Sequence, residues 1–451
     1  MTEREKMMGE EKISSVLLKL SIPAIIGMLV NAIYNIVDTA FVGMLKNTSA
    51  IAAVSVAFPM FVMIGAIGLM FGIGAASYIS RLLGEKNKKL ADQTASTTFF
   101  TSLIFSMFFT IFGVVFIVPI LKMFGATDTI MIFAKDYSKI IMFGSTFTIM
   151  NMTLNNMIRA EGNAKYSMMA MSIGALLNII LDPIFMFVFD MGIKGAAVAT
   201  VVAQSISFIF LMRYYIFKKS YIHISIKYFS FSIKIYNEIM KIGLATFARQ
   251  ALGSFALGFI NLAAKGYGDA AVAAMGISLR VFSLGMFVIF GYNQGFQPVV
   301  GYNYGAKKYK RLKEAIEISV KWTSIFCIIV TIVFAIFAKE IVLVFSQDMD
   351  VVTIGAKTLR VMSILFPLFG FQQVYGVLFQ ALGKGKEALA LSVARQGIFL
   401  LPAIFILPKW FELDGVIWSQ TVADLLTLIF TSILAIRLHK EIRKEMTDQR
   451  A

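Results

Sequence analysis

Residues 178–187 read NIILDPIFMF, and residues 398–407 read IFLLPAIFIL. Seven of the first ten are apolar, and the run continues apolar on both sides. Runs of this kind, extended to about twenty residues, are what a helix needs to cross a bilayer. Yet Asp182 stands inside the first run, with Pro183 directly after it. The second run lies 220 positions later, keeps a proline and has no acid. Read together, the two stretches imply membrane helices, a duplicated scaffold and a charge placed in one copy only.

Composition supports the membrane reading. Of 451 residues, 58% are hydrophobic and 15% charged, more apolar surface than a water-soluble fold hides. The apolar runs place about twelve helices, over 14–45, 51–83, 92–123, 130–161, 166–190, 193–217, 238–265, 270–304, 312–345, 354–382, 387–408 and 413–438. Lysine and arginine collect in alternate loops: GEKNKK (84–89), RAEGNAK (159–165), FKK (217–219), GAKKYKRLK (305–313), GKGK (383–386) and RLHKEIRK (437–444). The opposite loops hold few, among them Lys46, Lys194, Lys265, Lys339 and Lys409. By the positive-inside rule both termini are expected in the cytoplasm. The first residues, MTEREKMMGEEKISS, are charged and polar, so no cleavable signal peptide is expected.

The formal net charge is +16. Its confinement to short alternate loops without interleaved aromatics argues against a nucleic-acid partner. Cys327 is the only cysteine, and His223 and His439 are the only histidines, so a disulfide framework or a thiol or histidine metal centre has no support. The sequence contains no P-loop and no nucleophile–base motif, which argues against an enzyme and against an ATP-driven pump.

The chain repeats itself. Gly84 matches Gly305, Gly74 matches Gly295, AIAA (50–53) matches AVAA (271–274) and Gly162 matches Gly383, all 221 positions apart. GAAVATVVAQ (195–204) matches GVIWSQTVAD (415–424) at 220. Six helices per copy is an even number, so both copies enter from the same side. They relate by a pseudo-twofold along the membrane normal, a pattern of secondary transporters. The expected organisation is a six-helix half over 1–217, a cytoplasmic linker over 218–237 and a second six-helix half over 238–451.

Ionisable residues inside spans mark functional sites by default. Asn31, Asn35 and Asp38 are spaced to share one helix face, and Asn178 and Asp182 share another. Counting rise along each helix puts Asp38, Asp182 and Thr200 at similar depth in the outer half of the membrane. Oxygen ligands without sulfur or imidazole suit Na⁺ or a proton. Two readings of Asp182 stand. Asp before Pro is also a helix-start signature, in which the acid caps a new helix. The second half is less balanced. Arg249, Gln250, Arg280, Arg395 and Asp424 form its candidate polar pathway, and Asp424 is either a structural partner of an arginine or part of the transport route.

At this point the residues resemble a family. IPAIIGMLVNAIYNIVDTAFVG, RAEGNAK, NIILDPIFMFVFDMGIKGAAVAT and GVIWSQTVADLLTLI look like the multidrug and toxic compound extrusion (MATE) transporters, in their DinF-like and MepA-like bacterial branch. The resemblance implies an all-α polytopic fold with two six-helix lobes in a V. It implies a secondary antiporter, not an enzyme, that exports cationic or amphipathic drugs against an inward flow of H⁺ or Na⁺. It also implies a cation site in the first lobe, carried here by Asp38, Asn178, Asp182, Thr200 and Asn155, with no cofactor besides the coupling ion. The expected setting is a bacterial-type inner (plasma) membrane, with membrane lipids around a monomer. The alternative within the wider fold is a flippase for a lipid-linked precursor, for which the arginines would supply a cationic cavity.

Overall fold

In hydrocarbon, a backbone that spans must satisfy its own N–H and C=O groups, and within a single segment only helix does so. The described residues of the computed structural model, 3–45, 47–217 and 219–449, accordingly form helices and short connections. Lys46, Lys218 and the outermost residues of the two expected halves (1–2 and 450–451) lie outside the described residues.

The first half runs α1 (Glu3–Glu10), α2 (Ile13–Met44), α3 (Thr48–Gly84), α4 (Lys88–Val115), α5 (Ile117–Met123), α6 (Asp128–Ala160), α7 (Ala164–Pro183) and α8 (Ile193–Ile216). The second runs α9 (Ile233–Lys265), α10 (Asp269–Gly305), α11 (Tyr309–Leu343), α12 (Met349–Ser363), α13 (Phe366–Ala381), α14 (Gly385–Val393) and α15 (Leu401–Asp448). Asparagines start several of them. Asn47, Asn87 and Asn163 each accept a backbone N–H three residues ahead, as helix caps do.

Eight stretches are long and apolar enough to cross a membrane, and α12 with α13, bent by 53°, makes a ninth. Helices α6 and α9 match them in length at 33 residues each and carry more charge, including Arg249 at the middle of α9. The run from α14 to the end of α15 doubles back at Glu412, where φ is 48°. With these, the membrane-length crossings among the described residues number twelve.

The proline of each opening stretch sits beside a widened turn. Helix α7 passes through Pro183 into a π turn over Ile184–Val188, and α14 passes into one over Ala394–Leu400 just before Pro402. A proline lacks an N–H and crowds the preceding turn, and a π turn accommodates that mismatch. Asp182 lies inside α7, and the helix continues past it. This removes the capping reading.

Helix α3 packs on α9, α2 on α10, and α3 on α10. Glycines make the closest of these contacts. A Cβ on Gly84 would collide with the Tyr302 carbonyl, and one on Gly305 with the Arg81 carbonyl. Gly74 meets the Ile239 carbonyl in the same way. The backbones therefore touch at the end that carries the basic loops. The close approach continues along α10, where Gly295 meets the Ser21 backbone and Gly291 the Ile25 backbone, while Gly43, Gly253, Gly258 and Gly276, farther toward the other end, have no neighbour within 4 Å. One buried apolar cluster joins both halves at the basic end, around Leu82, Phe296, Val299 and Leu378.

Helix α9 begins at Ile233, five residues ahead of the expected 238. The linker before it is tied to the start of α4. Asp92 accepts the His223 N–H at 2.8 Å, Ser96 the Ser225 N–H at 3.1 Å and Thr97 the Ser230 N–H at 3.1 Å. Its first residues close over Glu161 in the turn after α6. The Glu161 carboxylate accepts Ser220 Oγ at 2.7 Å and the Tyr221 N–H at 2.9 Å. Burial pushes the Glu161 carboxyl up to about 7, even with Arg4 only 3.8 Å away.

Candidate functional site

The centre of the first half is built from the middle of α2, the end of α7 and the start of α8. Asp182 is 0% exposed and Asn178 is 2% exposed. One helical turn separates them, which brings Asn178 Nδ2 to 3.2 Å from Asp182 Oδ1. The same Nδ2 lies 3.3 Å from Thr200 Oγ1 on α8. Asp38 comes in from α2 and is a direct electrostatic neighbour of Asp182. Four of the five expected residues therefore meet.

Two tyrosines complete the cluster. Tyr34, one turn before Asp38, is buried and neighbours Asp38, Asp182 and Thr200. Tyr137 on α6 neighbours Asp38, Asp182 and Tyr34. Neither was singled out in the sequence. The i, i+4 spacing of Tyr34 and Asp38 was the available signal for the first. It also corrects the expected face of α2: Asn35 is exposed and donates to the Asn31 carbonyl at 2.7 Å.

Asn155 lies elsewhere. Its Oδ1 accepts Ser167 Oγ at 2.8 Å, and Ser167 in turn accepts Arg159 at 2.7 Å. Ser167 is three turns before Asn178 on α7, about 16 Å away along the helix axis. Asn155 thus belongs to a polar network nearer the basic end and is not brought to the carboxylates.

Two buried oxygens of the cluster, Asp182 Oδ2 and Asn178 Oδ1, have no partner while both acids are ionised, and Asp38 is close enough to Asp182 for the pair to share a proton. Buried acceptors left so are costly, and a cation or proton satisfies them. The donor set is all oxygen, carboxylate, amide, hydroxyl and phenol, which fits a hard ion such as Na⁺ or a proton.

The second half places its candidates unevenly. Arg395 Nε donates to Asp424 Oδ1 at 2.8 Å, and its guanidinium lies over the Phe369 ring at 5.2 Å. Gln420, not foreseen, donates to the same Oδ1 at 3.2 Å. Arg249 faces the same cavity as Arg395, while Gln250 lies off its wall. Arg280 is exposed and does not line that cavity.

The family model MatE matches the chain twice, over residues 23–184 and 245–406. Both matches are displaced by 222 positions (245 − 23, 406 − 184), close to the repeat spacing. The multidrug export protein MepA of Staphylococcus haemolyticus is 30% identical over 98% of this chain and 96% of its own length. The protein of the same name from Staphylococcus aureus strain MSSA476 is 28% identical over 96% and 95%. A solved structure described as an outward-facing multidrug resistance MATE transporter of the MOP superfamily superposes with a TM-score of 0.93. It is 27% identical and covers 98% of this chain and 99% of that one. A doubled match over more than half the chain, on a helical fold with eight or nine stretches apolar enough to cross a membrane among its described residues, makes this a multi-pass membrane protein of the MatE family.

Proposed function

We propose that the chain is a secondary transporter that exports cationic or amphipathic compounds, driven by H⁺ or Na⁺ entering through Asp38 and Asp182. One observation carries the reading: a fully buried carboxylate with an orphaned oxygen, facing a second carboxylate on another helix. Two like charges so placed repel, and a bound cation relieves the repulsion. Ion binding therefore draws α2 toward α7, and ion release lets them part. That is the differential affinity between two states that coupling requires.

The rest of the molecule supplies the second state. The halves act as lobes that pack backbone to backbone at the basic end, which the positive-inside rule assigns to the cytoplasm. Opening at the other end then gives an outward-facing state, in the manner of alternating access. The names of the relatives support multidrug export as the activity. The membrane is the inner (plasma) membrane, both termini are cytoplasmic, and the unit is a monomer surrounded by lipid. A flippase is less well supported. Arg280 does not line the cavity that Arg249 and Arg395 share, and Arg395 is held by Asp424, so the three arginines do not converge on one pyrophosphate-sized site.

The test is ethidium efflux from proteoliposomes under an imposed pH gradient, an imposed Na⁺ gradient or neither. Wild type is expected to respond to at least one gradient, and Asp182→Asn to neither. Gradient-driven efflux by Asp182→Asn at the parental rate would falsify the site.

A further inference from the structure

Inside the second half lies a cavity of about 60 Å³, walled by Arg249, Gln372, Gln373, Gln380, Arg395 and Gln396. Its charges do not balance. Two guanidiniums face it, and the single nearby acid, Asp424, is engaged by Arg395 and Gln420. Arg249 makes no hydrogen bond or ion pair among the described residues, and its Nε is sealed from solvent without a partner. Arg395 is its electrostatic neighbour and repels it. Arg249 is half-buried, and a cation partly withdrawn from water is stabilised by a counter-charge. Gln372 Oε1 is a further buried atom without a partner, an acceptor that lacks a donor.

These features specify an occupant. One negative charge brings the two arginines and one aspartate to neutrality. A planar oxyanion matches the free fork of Arg249. A hydrogen-bond donor next to that anion would answer Gln372 Oε1. The volume admits a functional group and not a whole drug. The threonines of the wall, Thr427 and Thr431, donate to carbonyls of their own helix and do not compete for it. Gln380 also lies at the contact between halves, where its carbonyl accepts Ser77 Oγ from α3.

We propose that this cavity is a subsite for the carboxylate of an exported amphipathic molecule, gripped by Arg249 with Arg395 beside it, a substrate-class assignment that rests on the export reading. The second half thus recognises the acidic group of zwitterionic or anionic cargo, while the first half handles the driving ion.

Equilibrium binding to the purified full chain in detergent tests this without any gradient. The probe is dansylglycine, which carries a carboxylate beside an N–H, read by fluorescence polarisation against its neutral amide, dansylglycinamide. Wild type is expected to prefer the carboxylate by at least about tenfold, the size of one charge-assisted bond. Arg249→Gln should erase the preference and Arg249→Lys should keep part of it. Asp424→Asn should increase it, because it frees the fork of Arg395. Equal binding of the two probes to wild type, or an unchanged preference in Arg249→Gln and Asp424→Asn, overturns the proposal. Displacement of dansylglycine by dihexanoyl phosphatidylglycerol but not by its phosphatidylcholine analogue gives the cavity to a lipid headgroup and overturns the assignment to cargo. Ethidium efflux by wild type reads the export activity separately. A chain that binds dansylglycine through Arg249 but exports nothing under any gradient would sink the export reading and leave a carboxylate site.

Discussion

The two halves hold opposite contents at matched positions. Shifted by 221, Asp38 falls on Phe259; shifted by 220, Asp182 falls on Pro402 and Phe185 on Phe405. Phe259 and Phe405 meet edge to face, 5.3 Å between centroids. Where the first half sets Asp38 against Asp182, the second has Phe259 and Pro402, with Phe259 packed on the nearby Phe405. Other positions kept their chemistry. Asn151 Nδ2 donates to Gln204 Oε1 at 2.7 Å, and their counterparts, Gln372 and Asp424, are joined by a 2.7 Å bond to the Asp424 carbonyl. The widened turn near the proline is kept in both. Duplication preserved the scaffold and the amide link between helices, while the charged centre diverged.

The comparison breaks most sharply at the ion pair of the second half. Arg395→Leu strands Asp424, and the expected loss is about 3–5 kcal/mol of stability. Arg395→Leu with Asp424→Leu is expected to recover most of it, as read by thermal unfolding in detergent. If the single and double variants melt alike, the pair is not what holds that half together.

In the first half, Asp38→Asn and Asp182→Asn should each lower gradient-driven efflux about 100-fold, toward the upper range of coupling energies. Phe259→Asp, the reverse exchange in the other half, should create no second coupling site. Gradient-driven efflux by the combination of Asp38→Asn with Phe259→Asp would show that the halves are interchangeable.

The two ends of the lobe interface differ next. Gly84→Ala should cost about 1–3 kcal/mol and spread the basic end, because its Cβ has no room against the Tyr302 backbone. Gly276→Ala, with no neighbour within 4 Å, should be neutral or slightly stabilising. Spin-label distances across α3 and α10 distinguish the two.

A last contrast lies outside the spans, at Glu161. Its folded carboxyl is raised from 4.5 to about 7 by burial. The native state therefore holds a proton between about 4.5 and 7 that the unfolded chain has released. Stability from this group is complete below that window and is lost as pH rises through it. Glu161→Gln should flatten melting temperature against pH there, and a slope equal to that of wild type would refute the assignment.

Asp38, Asn178, Asp182 and Thr200 were legible because a charge or amide in an apolar run has few explanations, and helical spacing fixes which of them share a face. Tyr34 and Tyr137 were not, because tyrosine is tolerated throughout a membrane protein and carries no charge to draw attention. Asn155 failed on depth: it shares the polar character of the site but bonds to Ser167, well down α7. Arg280 was not placed by spacing alone: it lies on α10, off the cavity wall that Arg249 and Arg395 share. The duplication was legible from glycines, and their contacts give the reason: only hydrogen fits where the backbones cross.

The tethered linker has a mechanical consequence. With Asp92, Ser96 and Thr97 clasping its backbone, the segment from His223 to Ser230 rides with α4 as part of the first half. Only Phe231 and Ser232 separate that segment from α9, which begins at Ile233, and Tyr236 on α9 is itself bonded to Thr101 on α4 at 2.9 Å. The linker is held along its length rather than left as a loose strand, so any displacement of α9 has to carry this clasp with it or break it.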